Sequence, residues 1–191
     1  MIPAVLLLLA AGAAPAPPVS PGAWLDAPKP AGWNRAGAPL PKAPKNDGET
    51  LGKGRCKEGV RPADGPEDAA LVAAGWSLFA AQQRFGDAVL VLAGAGGDGM
   101  CRPLAIQAFV FVKGKLAGTL APLPADSRTD GVLDEAHLFG GSIDASFRRY
   151  APDDPLCCPS RRSEVVYRVE TGANGSVVVP VSATTSPIPK E

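Results

Sequence analysis

The sequence predicts an α+β fold, a single domain over residues 55–182 with one helical segment packed on an antiparallel sheet of about five to six strands. Three observations carry this reading. Val72, Trp76, Phe79 and Gln83 fall on one helical stripe. From Ala88 onward the apolar pattern changes to strand-like runs. Reversals at Lys113-Gly114, Gly140-Gly141 and Gly172-Ala173-Asn174-Gly175 separate several of those runs. With 191 residues, one core is the expectation and a second domain is not.

Ile2 to Ala14 is apolar and uncharged, and Ala11-Gly12-Ala13 provides the small residues of a cleavage site. Residues 1–13 therefore read as a secretory signal peptide with Ala14 as the first mature residue, although the n-region lacks a basic residue. The run is shorter than the roughly 20 residues a membrane span needs, and no later stretch qualifies. Residues 14–54 hold much of the chain's proline, and X-Pro steps bias the backbone to extended conformations, so this segment reads as a disordered tether. Trp24 and Trp33 leave three alternatives open: docking on the protein's own domain, simple exposure, or a partner site.

Cys56 opens the ordered part. Asp64-Gly65-Pro66-Glu67 is a helix start, with Asp64 as cap and Pro66 in the first turn, and the helical pattern extends over about 67–84 unless Gly75 divides it. Ala88 to Ala93 and Ile106 to Val112 carry apolar residues on both faces, as central strands covered on two sides do. Lys113-Gly114 turns the chain into Leu116 to Leu120. Ser142 to Tyr150 alternates, with Ile143, Ala145 and Phe147 on one face, and pairs across Gly140-Gly141 with Leu133 to Phe139. Ser163 to Glu170 and Val177 to Val181 form the last hairpin, and residues 183–191 read as a loose tail.

Lys plus Arg and Asp plus Glu both number 19, so the net charge is zero and no basic surface is concentrated enough to make nucleic acid the partner. Gly94-Ala95-Gly96-Gly97-Asp98-Gly99 lacks the Lys-Ser/Thr ending and following helix of a phosphate loop. Asp126, Asp130, Asp134 and Glu135 do not match the alternating ligands of a calcium loop, and Asp126 to Gly131 reads as a turn. No cysteine spacing fits a structural zinc site. No metal or other cofactor is expected, and no catalytic residue is assigned.

The chemically pointed stretch is Asp154-Pro155-Leu156-Cys157-Cys158-Pro159-Ser160, which sets two neighbouring cysteines between prolines. An exported chain is expected to pair its four cysteines, and three pairings exist. Bare geometry favours Cys56 and Cys101 each joined to one of Cys157 and Cys158, since a bond between neighbours closes a small strained ring.

Gly99-Met100-Cys101-Arg102-Pro103, Phe109-Val110-Phe111-Val112-Lys113-Gly114-Lys115-Leu116-Ala117-Gly118-Thr119-Leu120, Asp126-Ser127-Arg128-Thr129-Asp130-Gly131 and the Asp154 to Ser160 stretch together resemble a family of small exported bacterial proteins, the LppP/LprE lipoproteins of actinobacteria. The resemblance covers residues 86–181. It implies an extracytoplasmic protein with no assigned activity. It also implies that Cys157 pairs with Cys158, leaving Cys56 for Cys101, because some relatives carry the adjacent pair as their sole cysteines. The first 55 residues hold no cysteine, so lipid anchoring is not expected.

Two functional classes follow. The first is a non-enzymatic envelope or secreted module that binds a protein or envelope component through the Asp154 to Ser160 loop. The second is a small envelope hydrolase or thiol-dependent redox protein using His137, the single histidine, or Cys157 and Cys158. The second requires one of those groups to line a concave pocket near a carboxylate.

Overall fold

A computed structural model describes residues 20–189. The signal-peptide reading of residues 1–13, the first six residues of the expected tether and the final two of the tail lie outside the described residues.

Among the described residues nine strands form two antiparallel sheets. The first holds β1 (Ser77–Leu78), β2 (Gln83–Phe85), β3 (Ala88–Gly94), β4 (Gln107–Val112) and β5 (Lys115–Thr119). The order is β1-β3-β4-β5, with β2 pairing the other half of the β3 edge that β1 uses. The second is a meander of β6 (Val132–Phe139), β7 (Ser142–Arg149), β8 (Arg161–Gly172) and β9 (Gly175–Pro187). The α+β class holds broadly, but the expected single sheet is corrected to two. The cause is arithmetic of cover: β3 and β4 are buried on both faces, and one eight-residue helix, α1 (Pro66–Ala73), can shield only one of them.

The main core lies between the sheets, where Leu90, Val110 and Leu120 meet Ile143, Phe147, Val165 and Tyr167. Each such side chain contributes roughly 1.5–3 kcal/mol by leaving water. A second core on the far face of the first sheet joins Val89, Val91, Phe109 and Phe111 to Leu71 of α1 and to Trp76.

The helix is shorter than its sequence pattern because Gly75 takes φ +93° and turns the chain out of it. Trp76 and Phe79 therefore lie beyond the helix, Gln83 falls in β2, and Val72 is half exposed. Gly65, not Asp64, occupies the cap position, and the Asp64 N–H donates instead to the Asp68 carboxylate. The Lys113-Gly114 reversal has positive φ at both residues, 51° and 73°, the geometry that suits a two-residue hairpin.

The free-tether expectation for 14–54 is corrected over residues 20–54. Leu25 and Leu51 are buried, and Glu49 exchanges both backbone hydrogen bonds with Gly97. Trp24 stacks edge-on against Trp33 at 4.9 Å and against Phe147 at 5.2 Å, and Trp33 meets Tyr167 at 6.5 Å. Proline-rich chain withholds donors and avoids helix, yet an extended strap can still lie on a sheet when large apolar anchors recur along it. The loose tail is corrected likewise over 183–187: β9 runs to Pro187, paired to β8, with Ala183 buried against the core.

Two side-chain amides close the seams between the sheets. On one side the Asn34 amide donates to the carbonyls of Thr119 on β5 and Val178 on β9, and its oxygen accepts the Thr119 N–H. On the other, Gln83 of β2 donates to the Ala136 carbonyl and accepts from the Leu138 N–H of β6. Gln83 thus occupies the hydrogen-bonding edge of β6 as another strand would, which removes an open edge. Gln83→Ala is expected to lower stability by about 1–3 kcal/mol, since it leaves a backbone donor and acceptor unpaired. Urea denaturation measures this, and an unchanged midpoint would contradict the clamp.

Candidate functional site

The Asp154 to Ser160 loop connects β7 to β8, and one carboxylate organises it. Asp154 Oδ2 accepts the N–H groups of Ala151 at 2.7 Å and Ser160 at 2.9 Å, and the Ser160 hydroxyl at 2.8 Å. Cys158 N–H donates to the Pro155 carbonyl, and Tyr150 Oη donates to that of Leu156. Cys157 and Cys158 are bonded to each other across a trans peptide, with Cα atoms 3.8 Å apart as the peptide requires. Cys157 and Cys158 are exposed, and Leu156 is 64 % exposed.

The backbone donors of Ala151 and Ser160, then the Ser160 hydroxyl, hold the Asp154 carboxyl below its ordinary pKa. Because folding lowers it, this anchor is complete above the ordinary value of about 3.9 and is lost as pH falls through the lower folded value. An NMR titration is expected to show the Asp154 carboxyl carbon and the Ser160 amide changing together, with a midpoint below that of free aspartate. Independent midpoints would contradict the anchor.

The second disulfide joins Cys56, buried in the 3-10 turn Gly54–Cys56, to Cys101 in the loop after β3, with Cα atoms 5.2 Å apart. It closes a separation of 45 residues. Chain-entropy reasoning gives such a loop a contribution of about 4 kcal/mol. Asp98 shapes the same loop, accepting the N–H groups of Met100 and Arg102 and the Arg102 guanidinium. The glycine-rich run before it is likewise structural: the Gly97 backbone pairs with Glu49 and Pro103, and Gly96 lies against the Asn46 side chain.

Between the loop and the sheets lies a cleft of about 410 Å³. It opens where the first sheet's edge is interrupted between β1 and β2 and the Gln83 clamp ends on β6. Phe79, Leu92, Ile106 and Leu133 give it an apolar lining, and Leu156 and Cys157 border it from the loop. Its polar lining holds three arginines and one carboxylate. Asp134 is bound on both sides, by Arg148 Nε at 2.8 Å and Arg162 at 2.9 Å. Arg102 is bound to Asp98. Arg128 has no carboxylate within 4.0 Å among the described residues, and it holds φ at 70°. The sequence showed the loop but not this cleft. Arg128 sits in Asp126 to Gly131, whose turn signal is real (Thr129 bonds Asp126) and hides what the arginine faces.

His137 stands apart. It is exposed on β6, lines none of the clefts described, and has Glu135 as its acidic neighbour at 3.8 Å on the same strand. The acid–base alternative required a concave pocket, and His137 lines none of these clefts. Period-two alternation places it there: Leu133, Ala136 and Leu138 take the core face of the bulged strand, leaving His137 outward. The aspartates do not converge either. Asp126 accepts the Ala105 N–H, Asp130 binds Arg149 and Asp134 binds Arg148. Among the described residues no three His, Cys, Asp or Glu side chains come together as a metal site, and no helix is long and apolar enough to cross a membrane.

A larger cleft, of about 890 Å³, lies between the tips of the β4–β5 and β8–β9 hairpins. The two hairpin turns and the strand ends beside them make most of its wall, and Lys113 there already faces Asp87 at 3.8 Å. Volume favours this cleft, but the smaller one combines an apolar floor, an unpaired cation and a covalently fixed border.

Neither a curated protein nor a solved structure matches the chain. Residues 86–172, from the β2–β3 turn to the end of β8, match the family model of the LppP/LprE lipoproteins and are similar to that family.

Proposed function

We propose that the protein is an extracytoplasmic envelope module that acts by binding, and that the cleft under the Asp154 to Ser160 loop takes the bound protein or envelope component. The observation that carries the reading is this cleft: a concave apolar surface beside a loop whose form is fixed by its own disulfide and by Asp154. The similarity to a lipoprotein family and the disulfides fit a compartment outside the cytoplasm. Residues 1–13 act as the leader, and the mature chain starts at Ala14.

Two measurements test it. Immobilised full-length protein is challenged with envelope extract separated into protein, glycan and lipid fractions, beside Leu156→Lys, a change at an exposed position that leaves the fold intact. One component should be retained by the parent and lost by the variant; equal retention, or none above an unrelated domain, overturns the reading. Intact-mass and non-reducing peptide analysis of the exported protein should find a chain from Ala14 with Cys56 linked to Cys101. A peptide linking Cys56 to Cys157 or Cys158 would overturn the pairing.

A further inference from the structure

We infer that the cleft takes a small amphiphile with a singly charged carboxylate head and an apolar body, the head on Arg128 and the body on Phe79, Leu92, Ile106 and Leu133. This rests on the binding role proposed for the same cleft.

The charge pattern selects the head. The carboxylates of Asp134 and Asp98 already satisfy Arg148 and Arg102, so these arginines offer a ligand little net charge. Arg128 is uncompensated, and a guanidinium offers paired N–H donors that match a carboxylate oxygen for oxygen. Asp134 on the same wall is already held by Arg148 and Arg162, so among the described residues Arg128 is the one lining cation left for a head, and it matches a single charge. Size and lining select the body: about 410 Å³ with Phe79, Leu92, Ile106 and Leu133 in the lining falls within the range of small-molecule sites.

Backbone geometry points the same way. Arg128 is not a glycine, yet it sits at φ 70°, where a side chain is strained. A side chain at this φ costs stability, and the unpaired charge in the cleft gives it a role. Arg128→Gly should therefore unfold no earlier than the parent while losing the ligand, a combination that a merely structural arginine would not give.

The test uses decanoate, decanol and decylammonium with the full chain, by displacement of an anionic naphthalene sulfonate dye and by calorimetry. Decanoate should bind at least tenfold more tightly than decanol or decylammonium. Arg128→Gln, which keeps the same backbone strain, should weaken decanoate by about 10- to 100-fold and leave decanol unchanged. Arg128→Lys should recover part of the loss. Equal binding of decanoate and decanol, or decanoate binding indifferent to Arg128→Gln, overturns the inference. Absence of decanoate binding, while an envelope component is still retained in a Leu156-dependent way, overturns the ligand class and leaves the binding role standing. Absence of both overturns both.

Discussion

Gly118→Ala is expected to destabilise the protein by about 3–4 kcal/mol, a large effect for the addition of one methyl group. Gly118 lies on β5 at φ +145°, a conformation that side chains rarely adopt, and a Cβ there would approach the Asn34 carboxamide closer than 3.0 Å. Displacing that amide breaks the hydrogen bonds that hold β5 to β9, so the change acts on the seam between the sheets as well as on one turn of backbone. Asn34→Ala removes the obstructing atoms, so the double variant should lose less than the sum of the two single losses. Urea denaturation of the four proteins supplies the cycle. Additive losses would mean that Gly118 and Asn34 do not share the seam.

Arg149→Ala is expected to cost about 3–5 kcal/mol. Its side chain is 3 % exposed at the end of β7, where it donates to Asp130 at 2.8 Å, Asp26 at 2.8 Å and Ser163 at 3.3 Å. Burial works against its charge, but the two carboxylates outweigh it and raise its pKa. Asp26 belongs to the N-terminal strap, so the loss should also release that strap. Limited proteolysis is expected to cut Arg149→Ala within residues 20–54 while the parent resists. Arg149→Lys should recover only part of the stability, because an ammonium cannot hold both carboxylates in the planar fork. Full recovery would show that charge alone, without geometry, is what the site needs.

These two effects mark where sequence reading reached its limit. Period-two alternation identified the inward set Ile143, Ala145 and Phe147, and the doubly apolar β3 and β4 announced cover on both faces. What covers them was not legible, because pairing between distant segments leaves no local periodicity. Asn34 and Arg149 are long-range partners, and a polar residue in a proline-rich segment or at a strand end looks like surface. Composition misled in the same way: residues 20–54 have the make-up of a linker, and two tryptophans and two buried leucines decide otherwise. The short strands β1 and β2 were lost inside a helical stripe because two or three residues cannot carry a period. At the candidate site, the Asp154 to Ser160 loop was visible from its cysteines, but the cleft it borders and the unpaired Arg128 arise only when five separate segments meet.

That meeting is the central claim, and a backbone amide NMR titration of the full chain with decanoate tests it most directly. Shift changes should gather on Leu92, Ile106, Arg128, Leu133 and Cys157, with Lys113 to Leu116 and Thr171 to Ser176 unmoved. Changes confined to those two hairpin tips, with the residues around Cys157 silent, would contradict it.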